Sequence, residues 1–398
     1  MDILYILHTF PKLSETFILN EITELIDLGH NIGIISLNKP KEEKIHDKVK
    51  EYNLIKKTKY IEFNSIEKYS RLDIFEKGSK ELFESKILTK EEKFKLLDLC
   101  YNKQKENAFR KFLNCLDIIK IVKEKKIKHI HCHFALENVE IAYIINQVMR
   151  IPYTFTTHAF DIFKYPSKDI KKWADRAKKV ITISNYNKKY MVDKFGIDGD
   201  KIEVVHCGIE LNKFKSIKVK KEKKFTILTV GRLHPIKGQK YLVESCKILK
   251  DKGVDFQCWI IGEGSERRNL EKQIRDLNLE KYVKLLGAKK NEELLQYYNK
   301  ADVFVLPSIS ESMGLVNIEA LACKTPVIAS DVRGVSELVR DNFNGFLVKP
   351  EKPKQIAEKI IKLKDNKELM NKFKKNARKI VEEEFDVRKN VKKLLERF

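Results

Sequence analysis

Short apolar runs alternate with helix-length segments along most of this chain, and this alternation is the feature that most constrains its fold. The run Asp2–Leu7 is followed by an amphipathic stretch that begins near Ser14 and by a second apolar run, Ile32–Leu37. We expect Ser14 to be the N-cap of this helix and Gly29 to end it. A β-α-β unit of this kind is typical of a parallel sheet.

The same alternation predicts the later strands. In the first half they are Ile127–His133, Tyr153–Thr157, Val180–Ser184 and Ile202–His206. A Lys-rich stretch with little apolar periodicity follows, and the alternation then restarts with Phe225–Val230, Phe256–Ile261, Tyr282–Leu286, Asp302–Leu306, Pro326–Ala329 and Phe346–Val348. Residues 41–126 are rich in Lys and Glu and are predicted to form helices and loops at the rim of the first sheet.

At 398 residues the chain is too long for one ordinary core. We therefore predict an α/β protein with two Rossmann-like, doubly wound parallel-sheet domains. The predicted boundaries are an N-terminal domain at 1–208, a basic linker at 209–224, a C-terminal domain at 225–380 and a C-terminal helix at 381–398.

The formal net charge of +23 is large, but it is compatible with several classes of binding partner. Nucleic acid, an anionic membrane surface and acidic substrates all fit it, and so does a Lys-rich solvated surface. The seven cysteines form no C-x-x-C pair, which favours reduced thiols in the cytoplasm. Neither a secretory signal nor an apolar run of about 18 residues is visible, so we expect a cytoplasmic protein, in water or at a membrane face.

The segment Leu306–Ala320 is the most informative for chemistry. A predicted strand ends there in a loop of small residues, and a helix opens near Gly314. Helix N-termini hold phosphate well, and open α/β sheets bind ligands at the carboxyl ends of their strands. Glu311 and Glu319 share a site if the first lies on the loop and the second in the first turns of the helix. Two ordinary glutamates at a helix start are the alternative.

A second basic loop follows the first strand of the same domain. Arg232 and Lys237 lie between Gly231 and Gly238, where they could clamp a diphosphate. The loop lacks the spacing of a Walker-type phosphate loop, so that class of nucleotide hydrolase is disfavoured. The turn Gly262–Gly264 closes a further strand at the same predicted edge of the sheet.

These motifs resemble glycosyltransferase family 4, a group of retaining enzymes with the two-domain GT-B fold. The resemblance rests on G-R-L-x-x-x-K-G around Arg232 and Lys237, on the E-x7-E pair Glu311 and Glu319, and on Thr325–Ala329 followed by Gly334 and Glu337. Near the N-terminus, the segment from Phe10 to Ile18 resembles a subgroup that builds exopolysaccharide, colanic-acid-type and lipopolysaccharide sugars. Such enzymes transfer a hexose from a UDP- or GDP-sugar to a saccharide or lipid-linked saccharide, without a metal.

The resemblance implies roles for individual residues. The C-terminal domain would bind the nucleotide sugar, and a C-terminal helix would cross back to the N-terminal, acceptor-side domain across a central cleft. Glu319 would hold the ribose, Glu311 would hold hydroxyls of the transferred sugar, and the backbone at Ala288 would read the base. The implied diphosphate-binding residues are Arg232, Lys237, Ser312, Met313, Gly314, Leu315 and Val316.

In the first domain, His158 directly follows a predicted strand and opens an H-x-x-D-like segment with Asp161. The resemblance implies that His158 contacts the donor sugar near the reacting carbon, and that Glu311 and His158 are the catalytic residues. The leaving phosphate, rather than a side chain, would take the acceptor proton. A strand-end histidine bonded to backbone is the alternative for His158. The implied residues of the acceptor and cleft loops are Phe10, Ser14, Glu15, Thr16 and Asp161.

Two apparent metal motifs are discounted. Along a strand, alternate residues such as His129, His131 and His133 are about 6.6–7 Å apart, too far for three ligands on one ion. Asp198-Gly199-Asp200 has the D-x-D form of transferases with another fold, but Asp-Gly is ordinary turn chemistry. We therefore expect neither a metal nor another cofactor.

Besides the glycosyltransferase, the sequence leaves two other functions to consider. A sugar-nucleotide hydrolase or epimerase would use the same diphosphate clamp without an acceptor. A nucleic-acid-binding protein would explain the charge, but no recognised nucleic-acid motif is present, so no nucleic acid is expected.

The basic tail and residues 103–128 fit either attachment to the inner face of the plasma membrane or a solvated surface. The sequence gives no oligomeric state.

Overall fold

In the computed structural model, the described residues are 1–41, 44–61, 80, 82, 84, 86–101 and 108–398, with the backbone alone for 100, 101 and 108–113. They form two compact units. The first comprises Met1–Ile183, Lys188–Val205 and Val391–Phe398, and the second Ser184–Asn187 and His206–Asn390. The domain limits predicted at residues 208, 224 and 380 remain predictions.

The first unit contains a parallel sheet of seven strands in the order β3-β2-β1-β4-β5-β6-β7. These strands are β1 Asp2–Thr9, β2 Asn31–Asn38, β3 Thr58–Tyr60, β4 His129–His133, β5 Tyr153–Thr157, β6 Lys179–Thr182 and β7 Ile202–Val204. The strand order reverses between β1 and β4. Ligands bind at such a switch point in open α/β sheets.

The second unit contains a parallel sheet of six strands in the order β10-β9-β8-β11-β12-β13. They are β8 Phe225–Val230, β9 Phe256–Ile261, β10 Val283–Leu285, β11 Val303–Leu306, β12 Val327–Ser330 and β13 Gly345–Val348. Here the order reverses between β8 and β11. The predicted α/β fold with two Rossmann-like, doubly wound sheets is thereby confirmed.

Helices connect the strands in both units. In the first part of the chain they are α1 Thr16–Asp27, α2 Asp47–Glu51, α3 Leu54–Lys57, α4 Lys90–Tyr101, α5 Ala108–Glu124, α6 Glu137–Met149, a π-helical turn Phe160–Lys164, α7 Ile170–Arg176 and α8 Asn185–Phe195. In the second part they are α9 Gln239–Asp251, α10 Arg267–Asp276, α11 Asn291–Lys300, α12 Leu315–Ala322, α13 Val335–Leu338, α14 Pro353–Asp365, α15 Lys367–Glu384 and α16 Val387–Leu395.

The second sheet is covered by apolar side chains on both faces, which is why its strands read as continuous apolar runs. In β11, Phe304 and Leu306 belong to one buried cluster, whereas Val303 and Val305 belong to another on the opposite face. Because side chains alternate along a strand, one four-residue run supplies both layers.

Besides strand bounds that differ by one or two residues, a helix start and a strand were predicted wrongly. Helix α1 begins at Thr16, and its N-cap position is occupied by Glu15, which makes no side-chain capping bond, rather than by Ser14. The strand Thr58–Tyr60 lies within the stretch predicted as helices and loops. It is a three-residue edge strand with only partly buried or exposed residues, so it carries no apolar signal. Residues 62–79 of the same stretch lie outside the described part of the chain.

The end of the chain packs on the first unit, to which Val391–Phe398 belong. The ring of Phe398 stacks on His129 with centroids 4.5 Å apart, and Arg397 pairs with Glu203 at 3.3 Å. Among the helices in the described part of the chain, none has the length and apolar character needed to cross a membrane.

Candidate functional site

Glycine loops lie side by side at the carboxyl edge of the second sheet. The loop after β8 is tied to the end of β9, because the amide of Gly231 donates to the Ile261 carbonyl at 2.9 Å. The loop after β9 is tied in the same way to that after β10, from Gly262 to the Gly287 carbonyl at 2.9 Å. A Cβ atom on Gly262 would lie 1.9 Å from the Gly231 carbonyl oxygen. Only glycine lets these two backbones approach so closely.

The loops after β8 and β11 meet at the switch point of this sheet. The Ile309 amide donates to the Ile236 carbonyl at 2.8 Å. Gly238 has φ +64°, and a Cβ atom there would lie 2.1 Å from the Pro307 carbonyl oxygen. The two predicted diphosphate-binding segments, 231–238 and 307–314, are therefore neighbours in the fold.

The two cations predicted to clamp the diphosphate differ in their surroundings. Arg232 is exposed, and its backbone carbonyl accepts a 3.0 Å hydrogen bond from Gln239. Lys237 is about one-fifth exposed and forms an ion pair with Glu311. The structure thus brings together Lys237 and the loop glutamate that the sequence placed near it only by resemblance.

Helix α12 starts at this edge. Its N-cap is Gly314, at φ +79°, where a Cβ atom would lie 2.9 Å from Leu306 Cδ2. The first amides of a helix lack intrahelical acceptors, so those of Leu315 and Val316 suit an anion. The hydroxyls of Ser308 and Ser312 are buried and have no hydrogen-bond partner among the described residues. Buried hydroxyls of this kind normally have partners, and a bound phosphate would supply one.

Glu319 lies in the second turn of α12 and is buried, with 8% of its surface exposed. The hydroxyl of Tyr298 donates to its Oε2 atom at 2.7 Å. Burial raises the pKa of Glu319 to about 7, while the bond from Tyr298 and the charge of Lys213 act to lower it. As the sequence predicted, Glu311 lies on the loop and Glu319 in the helix. Ala288 follows β10 at the same edge and is exposed.

Met313 differs from its neighbours in the predicted diphosphate-binding segment. Its side chain is buried in the apolar core of the second unit. Its carbonyl accepts a 3.1 Å bond from the Asn317 side chain. Of the groups of Met313, the backbone amide is therefore the one that could contact a phosphate.

In the first unit, His158 follows the end of β5 and is buried. Its Nε2 atom lies 3.1 Å from Nδ1 of His133, the last residue of β4. The rings of Phe17 and Phe134 lie 4.6 and 4.5 Å from the His158 ring, centroid to centroid. Burial lowers the pKa of His158 well below its usual range, with a further contribution from His133. The side chain is therefore a neutral imidazole at neutral pH.

Asp161 is fully buried, and both of its oxygens accept backbone hydrogen bonds. Oδ1 accepts from the His158 amide at 2.9 Å and Oδ2 from the Ala135 amide at 2.8 Å. Burial raises the pKa of Asp161 to about 6, against the lowering effect of these bonds. Its side chain thus joins the loops after β4 and β5 and fixes the backbone of His158.

The predicted acceptor loop follows β1 at the switch point of the first sheet. Phe10 is buried, and its amide donates to the hydroxyl of Ser36 at 2.8 Å. Glu15 pairs with Lys12 at 3.0 Å. Ser14 is exposed, and Thr16 is the first residue of α1. This loop therefore has a buried anchor and a polar end.

A cluster of histidines lies beneath this loop. His131, His133 and Glu21 have donor atoms within 4.8 Å of one another, the arrangement closest to a metal site among the described residues. Hydrogen bonds already engage these side chains, however, with His133 Nε2 2.9 Å from Glu21 Oε1. His131 Nε2 lies 3.1 Å from the hydroxyl of Thr156. The expectation that no metal is needed stays a prediction.

Three residues beside the site were not predicted from the sequence: His133 and Tyr298, which contact predicted site residues, and Glu21, which contacts His133. His133 was noticed only as part of a discounted metal motif, whereas it contacts His158. Glu21 lies 112 positions before His133 in the chain. Tyr298 has the appearance of a core aromatic on α11. The one signal in the sequence was its position on the helix that precedes β11, the strand that leads to the E-x7-E pair.

Comparison with known proteins agrees with the motif resemblance. The family model for glycosyl transferases group 1 matches residues 211–380, and the model for glycosyltransferase family 4 matches residues 89–213. The first match contains the diphosphate loops and both glutamates of the E-x7-E pair. The second contains His158 and Asp161.

Curated relatives extend the match over most of the chain. The amylovoran biosynthesis glycosyltransferase AmsK of Erwinia amylovora is 27% identical, over 91% of this chain and 90% of its own length. An uncharacterised glycosyltransferase of Methanocaldococcus jannaschii, MJ1178, is 30% identical over 63% of this chain and 69% of its own. The UDP-Gal:alpha-D-GlcNAc-diphosphoundecaprenol alpha-1,3-galactosyltransferase of Escherichia coli is 28% identical over 70% of this chain and 77% of its own.

Solved structures agree on the fold. The crystal structure of Anabaena Alr3699/HepE in complex with UDP has a TM-score of 0.72 at 18% identity, and covers 100% of this chain and 98% of that one. This likeness confirms the predicted GT-B fold. The family matches and the M. jannaschii relative show that the chain is an enzyme that belongs to the group 1 glycosyltransferases, as its motifs implied.

Proposed function

We propose that this enzyme transfers a hexose, with retention of anomeric configuration, from a nucleoside-diphosphate sugar to a lipid-linked saccharide during assembly of a cell-surface polysaccharide. One observation carries the proposal. The Lys237–Glu311 pair, the start of α12 and the buried Glu319 lie at one edge of the second sheet. That arrangement offers positive charge for a diphosphate beside carboxylates for sugar hydroxyls.

In this proposal the donor lies along the carboxyl edge of the second sheet. Arg232 and Lys237 bind the diphosphate together with the amides of residues 312–316. Glu319 accepts hydrogen bonds from the ribose, and Glu311 accepts them from the transferred sugar. The base lies against the backbone at Ala288. We take UDP as the first nucleotide to test, because the E. coli relative is named for a UDP-galactose donor; GDP is the alternative.

The proposed chemical step needs little from any side chain as an acid or base. The bond between the anomeric carbon and the diphosphate oxygen breaks, and the acceptor oxygen bonds to the same carbon on the same face. The acceptor proton passes to the departing phosphate oxygen. The charge that develops on the diphosphate is stabilised by Arg232, Lys237 and the helix start. These groups supply the positive charge that a metal would otherwise provide, which supports a metal-independent reaction.

We propose that His158 and Glu311 hold the transferred sugar during this step. His158 is neutral, so it contributes hydrogen bonding and shape rather than charge. Its backbone is fixed through Asp161, which favours a defined position for the ring. Small errors in the position of reacting groups cost large factors in rate, so such fixing has catalytic value.

The proposed acceptor is a saccharide on a lipid diphosphate. The E. coli relative is named for a diphosphoundecaprenol acceptor. An acceptor of this kind sits in a membrane, and the formal charge of +23 favours attachment to an anionic surface. We therefore place the enzyme in the cytoplasm, at the inner face of the plasma membrane.

The test is a transfer assay with radiolabelled UDP- and GDP-hexoses and a diphosphoundecaprenol-linked GlcNAc acceptor, with and without EDTA. The proposal predicts a lipid-linked disaccharide from one donor, formed equally well with EDTA. Free sugar without an acceptor product would instead indicate a sugar-nucleotide hydrolase. Conversion of one nucleotide sugar into another would indicate an epimerase, and either result contradicts the proposal.

A further inference from the structure

We infer that a basic cavity at the amino edge of the second sheet binds phosphate groups, carried by an anionic phospholipid headgroup or by a soluble phosphate ester. The cavity has a volume of about 600 Å³. Six cationic side chains line it, namely Lys215, Lys324, Lys374, Lys375, Arg378 and Lys379. Neither the proposed sugar donor nor the proposed acceptor is needed for this binding.

The cavity lies at the opposite end of α12 from the predicted diphosphate site. Helix α12 begins beside Gly314 at the carboxyl edge of the sheet, and Lys324 lies in the turn that joins its other end to β12. Its 8 residues span about 12 Å, because an α-helix rises about 1.5 Å per residue. The cavity is therefore separate from the loops that would hold the nucleotide.

Arg378 on α15 joins the segments that form the cavity. Its side chain is about one-fifth exposed, and its Nη1 atom donates to the carbonyls of Phe214 at 2.9 Å and of Ala322 at 3.1 Å. Its Nε atom donates to Glu382 at 2.7 Å. These bonds tie the segment before β8, the end of α12 and α15 to one another. The six cations come from these three segments, so their positions are set by the fold of the second unit.

Little negative charge offsets the cations. Among the described residues that line the cavity, Glu382 is the one carboxylate, and it is already paired with Arg378. Lys379 lies 4.0 Å from Glu383 in an exposed i,i+4 pair, which is a weak interaction. The carbonyl end of α12 adds only about half a negative charge. Within the part of the chain that the structure describes, the cavity lysines that form no ion pair are Lys215, Lys324, Lys374 and Lys375.

Lys374 shows that this arrangement is unfavourable without an anion. It is half-buried, and burial lowers the pKa of its ammonium, with a further lowering by Lys221 and an opposing effect of Asp302. Asp302 is itself paired with Lys221 at 3.3 Å, and it accepts from the Thr226 amide at 2.9 Å. The charge of Lys374 is therefore poorly compensated within the protein, and an anion in the cavity would compensate it.

The chemistry of the cavity fits phosphate. A phosphate group carries about one to two negative charges and several strong acceptor oxygens, so it can bind several cations at once. Lysines bind it as point charges, and Arg378 still offers Nη2, for which the described residues supply no partner. Ser216 adds a hydroxyl. No aromatic side chain is among the described residues of the cavity, so a nucleobase or a sugar ring would have nothing to stack on.

The test compares two double variants of the full-length protein that lose the same charge. Lys374→Gln with Lys375→Gln removes two cations from the cavity, whereas Lys272→Gln with Lys354→Gln removes two exposed lysines from α10 and α14. Two probes separate the sources of phosphate. Vesicles of phosphatidylglycerol and phosphatidylcholine are assayed by co-sedimentation. Glycerol 3-phosphate is assayed by calorimetry, with excess UDP present to occupy the proposed donor site.

We expect the wild type to bind at least one probe. Binding of the vesicles alone assigns the cavity to a lipid headgroup, binding of glycerol 3-phosphate alone assigns it to a soluble ester, and binding of both means that either source is accepted. The cavity variant should bind the vesicles about 10- to 30-fold more weakly than the wild type, and glycerol 3-phosphate at least about 10-fold more weakly. The control variant should stay within about threefold of the wild type for both probes.

Three results would overturn the inference. The first is a wild type that binds neither probe. The second is an equal loss of binding in the two double variants, because net charge alone would then explain it. The third concerns thermal unfolding in phosphate-free buffer, where the cavity variant should have a higher Tm than the wild type because repulsion between cations is relieved. A lower Tm would contradict that repulsion. None of these measurements involves sugar transfer, so failure of the proposed function leaves them interpretable.

Discussion

The hydroxyl of Tyr298 donates a 2.7 Å hydrogen bond to Oε2 of Glu319, and this bond holds the buried carboxyl at the edge of the second sheet. Tyr298 is itself fully buried, and burial raises its pKa well above the usual range, so the hydroxyl remains a donor. Glu319 is therefore oriented before any ligand binds, but it is kept in an environment that disfavours its charge.

This environment makes stability depend on pH through Glu319. Its pKa rises from a usual 4.5 to about 7 on folding. A carboxyl with a raised pKa stabilises the fold below its unfolded value, and that stability is lost as pH increases through the folded value. In Glu319→Gln the loss should be absent. Relative to the wild type, the variant should gain about 3 kcal/mol in free energy of unfolding between about pH 4 and pH 8.

Denaturant unfolding at both pH values measures this difference. Glu263→Gln serves as the control, because Glu263 is an exposed carboxyl in a loop at the same edge of the sheet. The same relative stability of Glu319→Gln and the wild type at both pH values would contradict a raised pKa for Glu319.

Glu311→Gln should separate nucleotide binding from sugar transfer. The substitution removes the ion-pair partner of Lys237, which leaves that ammonium free for the diphosphate. We expect UDP to bind as tightly as to the wild type or more tightly, while kcat falls at least about 100-fold because a sugar contact is lost. Calorimetry and the transfer assay check the two parts. A weakened affinity for UDP would assign Glu311 to nucleotide binding.

Arg232→Ala should weaken UDP without weakening uridine. A charge-assisted hydrogen bond is worth about 1.5–3 kcal/mol, so we expect the Kd for UDP to rise about 10- to 100-fold. Uridine lacks the phosphates, and its Kd should stay the same. Arg268→Ala, which removes an exposed arginine from α10, is the control. Parallel losses for UDP and uridine would mean that Arg232 does not contact the diphosphate.

Gly238→Ala should be far more disruptive than Gly253→Ala. Both glycines have similar left-handed φ angles, +64° and +70°. A Cβ atom at Gly238 would lie 2.1 Å from the Pro307 carbonyl oxygen, whereas nothing lies within 4 Å of one at Gly253. We expect Gly253→Ala to cost about 1–2 kcal/mol for its φ angle. Gly238→Ala should cost more and abolish UDP binding, as measured by denaturant unfolding and calorimetry. Equal costs would show that the close approach of the two loops is unimportant.

The fold was predictable because parallel strands are buried on both faces and so leave unbroken apolar runs. Tyr153–Thr157, Phe225–Val230 and Phe256–Ile261 were predicted with the bounds that the structure has. Thr58–Tyr60 was missed because an edge strand needs only backbone pairing, here to β2. The start of α1 was misplaced because the sequence offers Ser14, Glu15 and Thr16 in succession, and the loop geometry chooses between them.

The arrangement of the candidate site was predictable where its residues lie in one stretch of chain. Glu311, Gly314 and Glu319 are close in sequence, so the strand–loop–helix pattern already places them together. Contacts between residues that are far apart in the chain could not be predicted from the sequence pattern. The bond from Glu21 to His133 depends on how α1 packs beside β4, and periodicity reports burial but not which side chains meet.

The most direct test of the donor site is thermal unfolding with UDP, measured on the wild type and on Glu319→Ala. At about 100 times its Kd, a ligand adds about 2.7 kcal/mol to the stability of the protein that binds it. We predict this stabilisation for the wild type, with or without EDTA, and its loss in Glu319→Ala. Equal stabilisation of both proteins by UDP would contradict the placement of the nucleotide at the start of α12.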